Sequence, residues 1–443
     1  MSSSDIAAPS SVRFFSWRSF LAWLVCLTAG LFFFYEFIQM HMFNAIRDSL
    51  MVAFDIDAEQ LGHLSAAYFW ADVIFLFPAG MMLDRFSTRK VILISMFVCV
   101  LGTVVFSQTS SILAAGICRF ATGIGNAFCF LACIRLATRW FPPHRMALVT
   151  GLIVTEAMLG GVMAQTPLLH LTEALGWRHA LLAVAGFGVI LWLLIFAIVR
   201  DCPPEHESLE EEQQTELQRL GFGVSIKAAL KNAQNWLAGL YTSLLNLPLM
   251  LLGGLWGISY LVDVHHLSKD EASHITMFLF LGTIIGGPVV GWISDKLGQR
   301  KKPMLVGALL STAILAYVLL TPHLNYLELM LSFFLIGLVT STQVITYPLV
   351  AESNRPAFTG TAVGWTSLLI MGGPAVAEPL FGKLLQLSSH HTVANGIATY
   401  TSHDYFTAML IFPVGCLVGL ILSFFLKETW GQLLTSTSKR DSI

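Results

Sequence analysis

Five ionisable side chains, Glu36, Asp72, Arg119, Glu156 and Glu378, stand inside long apolar stretches of the chain. An ionisable group at bilayer depth costs about 2.5–3.5 kcal/mol on insertion scales, so a function is the first explanation to test for each. A carboxyl whose surroundings alternate between dry and polar can bind and release a proton, which makes Glu36, Asp72 and Glu156 candidates for proton coupling. Arg119 carries a planar guanidinium able to clasp a substrate carboxylate in bidentate fashion, the chemistry of a binding residue. Glu36 shares a helical face with Phe32, Gln39 and Phe43, so that a carboxylate and an amide point together. At about 1.5 Å of rise per residue, Asp72 falls near the midplane and Glu36 somewhat outside it, and a cluster of Glu36, Asp72 and Arg119 is geometrically allowed. A static buried network that only fixes helix packing uses the same residues and is the competing reading.

Polar side chains in other apolar stretches extend the set of substrate-binding candidates to Gln39, Arg119, Asn126, Asn246, Trp256, Gln343, Tyr347 and Glu378. Asn126 follows Arg119 on one face, together with Gly123 and Phe130. Asn246 and Trp256 flank Pro248, Gly253 and Gly254, the breaker content of a discontinuous helix; Trp256 can equally anchor at a membrane interface. Glu378 stands between Pro374 and Pro379, where a kinked helix frees backbone groups. Glu156 lies above Gly160-Gly161, facing either a cavity or a neighbouring helix.

The elements that position these residues follow from composition. Of 443 residues, 55% are hydrophobic and 12% charged, with mean hydropathy +0.71; soluble domains carry about 25% charged residues. Most side chains must therefore be solvated by lipid. Windows of about 20 apolar residues give twelve segments, near 19–44, 61–83, 90–107, 112–139, 146–169, 179–199, 236–262, 272–293, 303–321, 326–349, 359–386 and 404–426. The expected class is an all-α membrane protein of two six-helix bundles, 19–199 and 236–426. Around them stand a tail at 1–18, a polar linker at 200–235 and a tail at 427–443. The linker holds the acidic run at 205–212 and has room for one amphipathic surface helix.

A short motif supports the division. Gly80-Met-Met-Leu-Asp84-Arg85-Phe-Ser-Thr-Arg89-Lys90 returns as Gly291-Trp-Ile-Ser-Asp295-Lys296-Leu-Gly298-Gln-Arg300-Lys301, and Gly151 and Gly364 match at nearly the same spacing. Two independent matches at one spacing predict two copies of one bundle, an architecture that moves solutes. Placing both termini in the cytoplasm puts most of the 25 basic residues, including both copies of the motif, on the cytoplasmic side. Gly80, Asp84, Arg85, Arg89, Gly291, Asp295 and Arg300 then form a candidate cytoplasmic gate, closed in one state and parted in another; simple topology enforcement is the alternative.

The repeated G-x-x-x-D-R-x-x-x-R-K motif resembles the signature of the major facilitator superfamily. Arg119-Phe-Ala-Thr-Gly123-Ile-Gly125 in the fourth segment and Gly176-Trp177-Arg178 before the sixth are similar to further elements of that family. The resemblance covers the whole chain and implies a central site with alternating access by rocking. Ser87 departs from the usual glycine, which predicts a slightly looser turn. The fifth segment keeps only Gly160-Gly161 of the glycine-rich element of drug antiporters, which weighs against that class of efflux. Tyr35-Glu36, the Phe-Asn-Ala-Ile-Arg-Asp-Ser-Leu stretch at 43–50 and the segment at 67–72 are similar to the phagosomal transporter branch of intracellular bacteria. That similarity implies uptake of amino acids, nucleosides or related metabolites across a bacterial inner membrane.

Other classes find less support. A net charge of −2 offers no basic face for nucleic acid. The seven cysteines, six of them in apolar runs, read as small buried side chains, and no spacing suits a metal or another cofactor. Most of the 13 histidines fall near the outer side, where acid sensing competes with accidental loop composition. Neither a Walker loop nor a nucleophile elbow is present. The expectation is a monomeric secondary active transporter in the lipid bilayer, not an enzyme, coupling protons to uptake of a small polar organic solute. Efflux of a drug or siderophore is the alternative within transport, and a non-transporting membrane sensor, which would call for a large cytoplasmic output domain, is the alternative outside it.

Overall fold

The computed structural model describes residues 17–141, 145–203, 222–321, 323–355, 359–387, 392–394 and 397–430. The acidic run at 205–212, His144 and the histidines at 390 and 391 lie outside them. Among the described residues, twelve helices are long and apolar enough to cross a membrane. They are α1 (Ser19–His41), α2 (Ala58–Gly80), α3 (Thr88–Gln108), α4 (Ile112–Trp140), α5 (Leu148–Leu175), α6 (Trp177–Ile198), α7 (Ala233–His265), α8 (Lys269–Leu297), α9 (Lys301–Leu320), α10 (Tyr326–Glu352), α11 (Thr359–Gln386) and α12 (Ser402–Phe425). The twelve predicted segments are all present. Within the stretch read as linker, Phe222–Lys231 forms a helix.

Polar side chains start these helices where backbone N–H groups would otherwise lack acceptors. Capping boxes open α2 at Asp57 and Gln60, α8 at Ser268 and Glu271, α10 at Asn325 and Glu328, and α12 at Thr401 and Asp404. Large apolar side chains such as Ile94, Leu113, Ile190, Trp292 and Leu320 remain exposed, the outward belt expected of helices that face lipid.

Helix pairing repeats along the chain. α2 packs on α4 and α3 on both α4 and α6; in the second set α8 packs on α10, and α9 on both α10 and α12. α1 lies along α5 as α7 lies along α11. A β-carbon at Gly123 of α4 would fall 2.1 Å from the Tyr68 carbonyl oxygen of α2, and one at Gly337 of α10 would fall 2.0 Å from the Leu279 carbonyl oxygen of α8. Both crossings thus depend on a residue without a side chain. The two sets of six meet along α2 with α11 and α5 with α8.

Several helices are irregular. α7 contains a π-helical turn, Leu252–Trp256, four residues after Pro248, and α10 a 3₁₀ turn, Ser341–Ile345. α5 breaks at Gln165, between helical stretches ending at Met163 and starting at Thr166. After α1 the chain runs through Met42 into a shorter helix, Phe43–Phe54, which ends at Asp55 with φ +52°. A short antiparallel hairpin, β1 (Thr392–Ala394) with β2 (Ile397–Thr399), lies between α11 and α12.

Candidate functional site

The buried acids on α1 and α2 occupy separate polar contacts. Glu36 is fully buried, and its Oε2 accepts a hydrogen bond from Tyr68 at 2.9 Å while Oε1 has no partner. Room for that carboxylate comes from α4: a β-carbon at Gly125 would lie 2.4 Å from Oε1. Asp72, one turn after Tyr68 on α2, accepts from Asn126 Nδ2 at 2.9 Å through Oδ2 and leaves Oδ1 unpartnered. An unsatisfied buried oxygen is uncommon in a finished core.

Arg119 does not join these acids in an ion pair. Its Nη1 donates to the Gln39 carbonyl at 2.5 Å and its Nη2 to the Met40 carbonyl at 3.3 Å, at the C-terminal end of α1. The rings of Phe43 and Tyr68 each lie 4.5 Å from its guanidinium carbon. The cluster of Glu36, Asp72 and Arg119 that helix geometry allows is thus resolved into two parts. Tyr68 stands between Glu36 and Arg119, and Asp72 turns to Asn126. The physical reason is that helix-end carbonyls and aromatic faces satisfy a guanidinium without a counter-ion. Gln39, fully buried, has neither side-chain amide atom bonded.

The residues from the second half spread over a wider region. The half-buried Tyr347 ring lies 6.5 Å from Phe130 of α4, which in turn is 5.6 Å from Phe33 of α1, so α1, α4 and α10 meet there. Asn246 is buried in α7, and Gln343 in the 3₁₀ turn of α10, where its carbonyl accepts from Thr242. Trp256 is fully buried with its indole N–H unpartnered, stacked on Phe381 at 5.4 Å and under the Arg47 guanidinium at 5.1 Å. It is no interfacial anchor. Glu378 is fully buried and neither of its oxygens is hydrogen-bonded. Glu156 points at α1, where a β-carbon on Gly30 would overlap it, and closes a cleft of about 270 Å³ whose other lining is mostly apolar, including Trp23, Leu27 and Leu31.

The repeated loops are anchored inside their own halves. Ser87, the departure from glycine, caps α3 and donates to Asp201, while the Arg89 backbone N–H donates to the same carboxylate at 2.8 Å. The turn is therefore fastened by Ser87, not loosened. In the second loop Glu428 accepts from the Arg300 and Lys301 backbone N–H groups at 2.7 and 2.9 Å, and Gly298 takes φ +59° to end α8. Asp201 follows α6 as Glu428 follows α12, a repeat the sequence reading missed although an acid just past both last helices was its visible trace. Arg300 pairs with Asp295 at 2.6 Å and Glu352 at 2.8 Å. The bonds to Glu352 foremost, and to Asp295, hold its guanidinium above the usual arginine range despite partial burial. Arg89 donates to the Phe196 carbonyl. Gly80 and Gly291 border open space, and the side chains of Asp84 and Arg85 lie outside the described residues.

At the opposite end the halves lock together through residues that sequence reasoning also missed. Asn44 Nδ2 donates to the Gln165 side chain at 2.8 Å and to the Leu252 carbonyl at 3.1 Å, and its Oδ1 accepts from the Ile258 N–H at 3.1 Å. Gln165 Nε2 donates to the Gly253 carbonyl at 2.8 Å. A π turn displaces the regular ladder, and two amides from the other half take up backbone groups in and just beyond it. Around this seal lie Lys269 with Asp48 at 2.7 Å, His170 with Asp270 at 3.0 Å, Thr166 with Ser273 at 3.0 Å, and His41 edge-on to Phe280 at 4.9 Å. His41 is thus a packed interior residue, unlike a loop histidine.

Comparison with known proteins agrees with this architecture. The chain is 27% identical over 286 residues to the D-galactonate transporter of Escherichia coli O6:H1, covering 59% of this chain and 66% of that protein. It spans just under two thirds of the length of that relative. A probable sulfoacetate transporter of Cupriavidus necator is 24% identical over 75% of this chain and 80% of its own length. The membrane sensor protein UhpC of Salmonella typhimurium is 24% identical over 85% of this chain and 87% of its own length. Among solved structures, a bacterial homolog of the human lysosomal transporter Spinster superposes with TM-score 0.71 at 16% identity, covering 92% of this chain and 96% of that one. A D-xylose-proton symporter superposes with TM-score 0.71 at 16% identity, over 94% and 100%. The model of the Major Facilitator Superfamily matches residues 25–377 and 244–439, and with twelve helices whose pairings repeat in two sets of six, the chain belongs to the major facilitator superfamily.

Proposed function

We propose that this protein is a secondary active transporter that couples protons to uptake of a small polar organic solute, an amino acid, nucleoside or related metabolite, by alternating access. The observation that carries this reading is the one-sided closure. Among the described residues, hydrogen bonds and ion pairs between the halves gather at the Asn44 and Gln165 end, while Arg89 and Arg300 at the motif end bind within their own halves. A molecule closed at one end only is one state of a rocking pair. In this reading the bundles 19–199 and 236–426 rock about a central region holding Asp72, Asn126, Phe130 and Tyr347. The motif end faces the cytoplasm of a bacterial inner-membrane protein with both termini inside, as its lysines and arginines favour. Asp84, Arg85, Arg89, Asp295 and Arg300, with Gly80 and Gly291, rearrange to close that side in the other state. Glu36, Asp72 and Glu156 supply proton sites, and Gln39, Arg119, Asn246, Trp256, Gln343 and Glu378 shape the solute path directly or through packing.

The test is flux in liposomes. Purified protein is challenged with labelled amino acids, nucleosides, D-galactonate and sulfoacetate under an imposed proton gradient, with accumulation of one class expected. Asp72→Asn and Glu36→Gln are each expected to lower gradient-driven accumulation; full accumulation in both would remove them as coupling sites. A second reading, a membrane sensor, is favoured by the match to UhpC over 87% of that protein's length, which weakens the expectation that a sensor needs a large added domain. Ligand binding without flux under any gradient would select it.

A further inference from the structure

Glu378 is the buried carboxyl whose two oxygens both lack partners, and it sits against the part of α7 that the opposite half grips. A β-carbon on Gly254 in the π turn would lie 3.9 Å from Glu378 Oε1 and 3.7 Å from the His41 ring. The carbonyls just before it, at Leu252 and Gly253, are the ones held by Asn44 and Gln165. From the other side α2 approaches so closely that a β-carbon on Gly62 would fall 2.7 Å from the Glu378 carbonyl oxygen. The carboxyl therefore lies directly against the seal, where α1, α2, α7 and α11 converge.

Few groups around it serve an ionised carboxylate. From α1, His41 spends Nδ1 on the Phe37 carbonyl at 2.9 Å and leaves Nε2 open; from α2, the Ser65 hydroxyl stands near the carboxyl without a well-formed bond; from α4, the Arg119 charge acts on it from a distance while its terminal nitrogens hold the Gln39 and Met40 carbonyls. The π turn of α7 contributes no charged side chain. Burying a charge with no hydrogen bond is strongly unfavourable, and parting the halves here would bring water to it.

We propose that Glu378 is the proton-responsive residue of the seal: protonated, it is accommodated beneath the Asn44 and Gln165 contacts, and ionised, it drives α7 and α11 away from α1 and α2. This deepens the proposed transport reading and rests on its rocking halves. The sealed form binds one proton more than the parted form, so the ratio of parted to sealed molecules rises with pH, by up to about tenfold per pH unit. His170 with Asp270, joined by Glu173 and His274, also bridges or borders this end. Asp48 with Lys269 changes in the opposite sense, because acid removes the carboxylate.

Distance measurement separates these contributions without needing the solute. Spin labels at Val52→Cys and Leu387→Cys, both on exposed residues of the two halves, are read by double electron resonance in the full chain in lipid nanodiscs from pH 5 to pH 9. A Cys202→Ser background removes the one native cysteine that is not buried. The parent should gain a longer-distance population as pH rises, Glu378→Gln should remain at the short distance throughout, and His170→Asn should keep the response. Glu378→Met, apolar and of similar length, carries the same expectation should the glutamine variant fail to fold. A pH response that survives in either Glu378 variant, or a parent with no response, overturns the assignment. Liposomes silent for every solute beside an intact, Glu378-dependent shift would count against transport and leave the assignment standing.

Discussion

Arg119 is tied to its own half through backbone groups and aromatic faces. Its two terminal nitrogens hold the Gln39 and Met40 carbonyls while Phe43 and Tyr68 flank the guanidinium. A lysine can reach one carbonyl but cannot present a planar fork between two rings. Arg119→Lys is therefore expected to lower stability by roughly 1–3 kcal/mol through unsatisfied buried carbonyls, read as earlier unfolding in detergent, with ligand affinity unchanged in the protein that folds. An affinity lost at unchanged stability would instead place Arg119 on the solute. Asp72 has the opposite character: one oxygen is fixed by Asn126, which orients the carboxyl, and the other is left open.

Helices in this molecule are specified by their irregularities as much as by their apolar length. The π turn at Leu252–Trp256 and the break at Gln165 sit opposite each other, and both are used in the seal. Gly123 and Gly337 perform matching tasks at the α2 with α4 and α8 with α10 crossings, where a carbonyl of the facing helix occupies the place of a side chain. Either Gly123→Val or Gly337→Val should force its pair of helices apart and destabilise by roughly 1–3 kcal/mol or more, measured as lower yield and melting temperature. Equal tolerance of both substitutions would mean that the helices part freely, contrary to the close packing seen.

Across the whole molecule, the closed end is held by a buried amide core and a charged rim. Burial pushes the Asp48 carboxyl up, but Arg47 and Lys269 outweigh it and hold the group below the usual carboxylate range. The sign follows from that shift. The Asp48 contribution is present at neutral pH and is lost as pH falls through its lowered value, the reverse of the Glu378 effect. Because the Asp48 and Lys269 side chains are 25% and 47% exposed, the pair is worth only about 0–1 kcal/mol. Lys269→Met should thus raise the parted population at pH 7 by less than about fivefold, read by the same label distances. A larger change would move the weight of closure from the amides to the rim.

Much of this was legible in the chain. The apolar windows located all twelve helices, the duplicated loop located two sets of six, and Pro248 with Gly253 and Gly254 located the break in α7. Buried acids were legible as well, since an ionisable residue inside an apolar run stands out whatever surrounds it. Tertiary structure alone decided who meets whom. Asn44, Gln165 and Tyr68 are unremarkable in sequence, and gain their roles from backbone groups and carboxylates brought close by helices distant in the chain. Ser87 changed from a loosened turn to a fastened one because Asp201 arrives from the end of α6. The sequence by itself determined what must be buried in lipid and how often the pattern repeats, because hydropathy and periodicity are local properties. Which polar atoms are satisfied, which are left open and which end is shut depend on contacts between distant segments, and only the folded molecule decides those.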